Sequence, residues 1–63
     1  MSDKMQLAEA LTSASKSLER SRQRVEELGR VLKGLSSPPE HVDLCNLASA
    51  QLAEMNRKIR ALA

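Results

Sequence analysis

The chain has 63 residues and a mass of 6.9 kDa, with ten Lys and Arg against eight Asp and Glu and no Phe, Trp or Tyr. A chain this short forms one domain at most and buries only about 60% of its unfolded surface, and without aromatic side chains, which bury roughly 150–250 Å² each, its core is thin. One cysteine excludes an internal disulfide and, with a single histidine, leaves too few ligands for a structural zinc site, so association with another chain is the stabilising device that remains.

Met1 is followed by Ser2, Asp3 and Lys4 with no apolar stretch behind them, so no secretory leader is expected. No window approaches the ~18 uninterrupted apolar residues of a membrane span. With the lone cysteine, this points to a cytoplasmic location.

From there, apolar and small residues recur at Leu7, Leu11, Ala14, Leu18, Ser21, Val25, Leu28, Leu32 and Leu35. The steps alternate four and three without a break, which is a heptad seam with a polar defect at Ser21. The spacing predicts a helix over about 3–33. Gly34 suits the left-handed position past a helix end, and 34–37 reads as a loop. Ser37-Pro38-Pro39-Glu40 then has the form of a capping box, with Ser37 as N-cap and Pro38 at the first helical position. A second seam follows at Cys45, Ala48, Leu52, Met55, Ile59 and Leu62, reaching back to His41, and predicts a helix over about 38–62.

The expected fold is all-α: an antiparallel two-helix hairpin with a coiled-coil-like seam, one domain over 1–63. At 1.5 Å per residue the helices measure roughly 46 Å and 37 Å, so the first outreaches the second by about two turns. Leu7 and Leu11 are then left uncovered. Ala8, Ala10 and Val31 on the first helix, and Val42, Leu44 and Leu47 on the second, widen the apolar arc beyond one seam. Leu44, Cys45 and Leu47 span well over half a turn and cannot all enter a two-helix seam.

The chemistry-bearing residues are few. Cys45 and His41 are one helical turn apart, the only pairing that resembles a nucleophile and its base. Catalysis would also need an orienting group, an oxyanion site and a pocket, which a helical hairpin does not offer. Cys45 reads as a packed small hydrophobe. No enzyme, no catalytic residue, no cofactor and no metal site is expected. Lys16, Arg20, Arg22, Arg24 and Arg30, then Arg57, Lys58 and Arg60, make a basic stripe. Glu19, Glu26 and Glu27 interrupt it, and no aromatic is present to stack on a base. Glu26–Arg30 and Glu54–Lys58 have the favoured i, i+4 order, so the stripe reads as a solvated face and nucleic acid as an unlikely partner. Acidic residues (Asp3, Glu40, Asp43) near helix starts, and basic ones (Arg30, Lys33, Arg57, Lys58, Arg60) near helix ends, suit the helix dipole.

A chain of this length, with a long first helix, a break carrying Gly34 and Pro38-Pro39-Glu40, and a second helix with Leu44, Leu47, Ala48 and Leu52, resembles the small type III secretion needle co-chaperones of the YscE/PscE class. Where that family often has an aromatic after the loop, this chain has His41 and Val42. The resemblance implies a role in protein transport and virulence. The hairpin would pair with a tetratricopeptide-like chaperone, and the two together would hold the needle subunit in the bacterial cytoplasm and prevent early polymerisation. Two other readings stand beside it. One is a homodimeric four-helix bundle that contacts RNA through the basic residues of the first helix; the other is a small scaffold subunit of a coiled-coil complex. In the leading reading Leu7, Leu11, Leu18 and Val25 contact the partner, with Leu44 and Leu47 as a second patch. Leu28, Leu32, Cys45, Leu52 and Met55 form the intrachain seam.

Overall fold

The computed structural model describes residues 3–62. Two helices, α1 (Asp3–Gly34) and α2 (Pro39–Arg60), fold back on one another as an antiparallel hairpin, with no strand among the described residues. The molecule is a thin plate, 54 × 15 × 8 Å. α1 has 32 residues and α2 has 22. The overhang is the N-terminal end of α1, where residues 3–10 are all exposed.

The link between the helices differs from its sequence reading at both ends. α1 closes in a Schellman arrangement: the Ser37 N–H donates to the Leu32 carbonyl at 3.0 Å and the Ser36 N–H to the Lys33 carbonyl at 3.1 Å. Ser36 takes the left-handed conformation, with φ 55°, whereas Gly34 stays in the last helical turn. At the start of α2 the N-cap is Pro38, not Ser37, and no side chain caps the helix. The proline pair is the cause. A residue before proline is driven out of the helical region, and Pro38 accordingly sits at ψ 142°. The helix therefore begins at Pro39, one residue too late for the capping box.

The seam between α1 and α2 runs through Leu11, Ser15, Leu18, Arg22, Val25, Gly29 and Leu32 on one side, and Val42, Cys45, Ser49, Leu52, Asn56 and Ile59 on the other. Leu11, Leu18, Val25 and Leu32, and Cys45, Leu52 and Ile59, are shared with the heptad pattern. The alternate rail is not. Arg22 and Gly29 stand where Ser21 and Leu28 were expected, Asn56 stands where Met55 was, and Ser15 joins the half-buried Ala14. Leu28 is 50% exposed and Met55 49%, so neither belongs to the intrachain seam.

Cross-helix chemistry accounts for the rotation. Gly29 is buried against Cys45, and a Cβ added to it would meet the Cys45 Cβ at 3.5 Å, an ordinary contact that leaves no room for a leucine. Ser15 Oγ donates to the buried Asn56 Oδ1 at 2.6 Å, and Arg60 Nε donates to Ser15 Oγ at 3.3 Å. Ser49 Oγ donates to Glu26 Oε1 at 3.2 Å. A seam centred on Leu28 and Met55 would turn these polar groups out to water and forgo the cross-helix hydrogen bonds, each worth roughly 0.5–1.5 kcal/mol. The seam that results is polar and thin. Cys45 and Asn56, each 8% exposed, are its most buried side chains.

The link geometry gives a direct test. Ser36→Gly removes a left-handed non-glycine residue and should stabilise the chain by about 1 kcal/mol. Gly34→Ala, with open space around the new methyl group, should stabilise by up to about 1 kcal/mol through helix propensity. Thermal unfolding reads both; a destabilising Gly34→Ala would return the left-handed role to Gly34.

Candidate interaction surface

The rotation of the seam decides what each side of the plate presents. Two antiparallel helices viewed along one axis wind in opposite senses, so an equal offset from the seam in each points to a single side of the hairpin. One cross-helix contact fixes this assignment: Glu26, one residue past Val25, and Ser49, at the same edge of the α2 seam, meet through a hydrogen bond. They share a shallow groove with Arg22, Gly29, Cys45 and Asn46. This is the polar side.

Ala14, Ser21 and Leu28 on α1, and Leu35 just beyond it, lie roughly 60–120° from the seam in the opposite sense, at 3.6 residues per turn. Leu44, Ala48, Met55 and Leu62, the last just beyond α2, carry the same offset. Among them Leu28, Leu35, Leu44, Met55 and Leu62 are large and exposed, the last at 68%. Leu47 and Val31 flank the strip and are exposed as well. The bulky apolar residues displaced from the seam thus collect on one side, with Ser21 and Gln51 interspersed among them.

The residues expected to contact a partner fall into three groups. Leu44 and Leu47 are 63% and 56% exposed and, with Glu40 and Asp43, line a shallow depression on α2. Leu11, Leu18 and Val25 are half-buried in the seam with α2. Leu7 is exposed on the overhang, about 30 Å along α1 from Leu28. The six do not form one patch. The structure brings Leu44 and Leu47 to the loop-end level of Leu28, a residue that heptad spacing had assigned to the interior. The sign of Leu28 and Met55 as surface residues was in the sequence only indirectly, as an apolar arc wider than a two-helix seam can bury.

The polar side is tied together by charge. Arg22 pairs with Glu19, at an i, i+3 spacing, and its Nη1 donates to Glu26 Oε1 at 2.5 Å. Arg30 pairs with Glu27 at 2.7 Å, and Arg57 pairs with Glu54. These pairs replace the expected Glu26–Arg30 and Glu54–Lys58 pairs, because Glu26 is drawn to Arg22 and to the Ser49 hydroxyl. Three of the eight cations in the basic stripe are therefore matched to glutamates. Cys45 is buried against Gly29 while His41 is exposed. Among the described residues no cluster of His, Cys, Asp and Glu could hold a metal, and no helix is long and apolar enough to cross a membrane.

Hydrogen bonds from Arg22 and from Arg57 hold the Glu19 and Glu54 carboxyls below their ordinary range. A carboxylate with a lowered folded-state pKa contributes stability above its unfolded pKa and loses it as pH falls through the folded one. Acidification from about pH 7 to about pH 3 should therefore lower the melting temperature, across the normal Glu range and just below it. The double variant Glu19→Gln, Glu54→Gln should show a smaller drop. An equal drop in both proteins would remove these pairs from the acid response.

No protein-family model, curated protein or solved structure matches this chain.

Proposed function

We propose that the hairpin is a protein–protein interaction module that docks its apolar side on a helical partner, in the manner of a cytoplasmic co-chaperone for a helical-repeat chaperone of a type III secretion needle subunit. The observation that carries the docking role is the strip of large exposed apolar side chains at Leu28, Leu35, Leu44, Met55 and Leu62, backed by Leu47, on a 63-residue chain. Monomeric proteins expose single leucines freely, but several large exposed apolar side chains gathered on one side of a chain this small mark an interaction surface. The co-chaperone assignment adds the chain's length, its long-helix, break and short-helix layout, and the Pro38-Pro39-Glu40 start of α2.

In this role the hairpin supplies two helices that complete a partner's helical layers. Leu44 and Leu47 sit at the loop end, where the apolar arc is widest, and are the first anchors. The polar side, with Arg22 held between Glu19 and Glu26, stays in water and keeps the complex soluble. Leu7 on the overhang is positioned to contact the partner beyond the reach of α2. Leu11, Leu18 and Val25 contribute indirectly, by holding α1 against α2.

Co-expression with the tetratricopeptide-type chaperone and needle subunit of the same organism tests this reading. All three chains should co-purify. Leu44→Asp combined with Leu47→Asp should weaken the complex at least about tenfold, since burying each leucine is worth roughly 1.5–3 kcal/mol. Unchanged helicity of that variant would show that only docking was lost. A complex that forms equally well with the variant, or without this chain, would overturn the proposal.

A further inference from the structure

We propose that, before any other protein binds, the apolar side is covered by a second copy of the same chain, giving a four-helix bundle in which α1 of each copy lies on α2 of the other. The inference goes beyond the partner-binding role and does not rest on it.

Surface area gives the first argument. The hairpin exposes 5111 Å², whereas a folded monomer of this mass exposes about 4,000 Å². The excess of about 1,100 Å² exceeds the roughly 800 Å² per subunit that a standard stable interface buries. The chain therefore carries enough surplus surface for one interface of ordinary size.

The second argument is where each helix keeps its apolar arc. In α1 the arc runs from the seam (Leu18, Val25) round to Leu28 and Leu35; in α2 it runs from Cys45 and Leu52 round to Leu44 and Met55. Seam plus one adjacent side is the arc of a helix with two neighbours in a four-helix bundle. Covering both arcs at once takes two more helices with matching arcs, and a copy of the chain related by two-fold symmetry supplies them.

The third argument is residue size along the strip. The Gly29–Cys45 and Ser15–Asn56 contacts set the register of the hairpin. With the two-fold axis along the bundle, a copy stacked on the strip meets it at equal height. Leu62 of the second copy then lies level with the stretch from Ala10 to Ala14, its Met55 with that from Ser17 to Ser21, and its Leu44 and Ala48 with Leu28. Leu62 and Met55 thus face small side chains, the condition for close packing, and Leu28 with Leu44 forms one large apolar layer at the loop end. The charged pairs Arg22–Glu19 and Arg30–Glu27 lie on the opposite side and remain solvated.

Sedimentation equilibrium on the full chain tests the proposal. The expected mass is twice 6.9 kDa. Leu28→Glu should weaken association at least 100-fold, and Gln23→Glu on the polar side should leave it unchanged. A helical monomer at every concentration would overturn the proposal, as would a dimer indifferent to Leu28→Glu. In case Leu28→Glu fails to fold, Met55→Glu on the same strip provides a second reading. It too should weaken association, and a dimer indifferent to it would again overturn the proposal. Partner binding is measured on a complex with a different protein, so it can fail or succeed separately.

Discussion

The close approach of α1 to α2 at Gly29 and Cys45, locked by the Ser15–Asn56 hydrogen bond, is the constraint on which the rest of the structure depends. A seam built from glycine, serine, asparagine and the aliphatic positions Leu18, Val25 and Leu52 lets the helix axes come together and satisfies its own polar groups. It also expels the bulkiest candidates. Leu28, Leu35, Met55 and Leu62 are turned out of the seam, all to one side. The thinness of the intrachain core and the apolar side are therefore two consequences of one packing choice.

That division gives the molecule its functional character. The polar side is finished: Arg22 bridges Glu19 and Glu26, and Ser49 reaches across to Glu26. The other side is unfinished and offers hydrophobic burial, the dominant favourable term in protein association. A surface of this kind stabilises the chain only when another protein covers it. In the proposed co-chaperone role, a chain that is firm only in company would suit a task of holding and then releasing a subunit.

The helix count, the antiparallel hairpin and the helix bounds to within two residues were legible because heptad spacing and the proline–glycine break are strong local signals. The half of the seam that failed was not local. Leu28 and Gly29 are both compatible with an α1 seam, and the choice between them is made by what α2 presents, namely Cys45 opposite Gly29 and Asn56 opposite Ser15. By periodicity alone, leucine outranks glycine and methionine outranks asparagine. Tertiary hydrogen bonding reversed that order. The loop failed for another reason: the capping box weighed Ser37 and Glu40 without the restriction that Pro39 places on Pro38, and Gly34 drew the left-handed role that the chain gives to Ser36. Of the surface residues, Leu44 and Leu47 were visible as an excess of apolar arc, whereas Leu11, Leu18 and Val25 could not be divided between seam and partner until the register was known.

The central claim is that one hairpin holds only half of the core it needs. Thermal unfolding followed by circular dichroism, repeated over about a hundredfold range of chain concentration, tests it most directly. If covering the apolar side stabilises the fold, the melting temperature rises with concentration, as mass action requires. A cooperative transition at the same temperature throughout would mean that the seam of Cys45, Leu52 and Val25 is sufficient by itself, and would contradict the account.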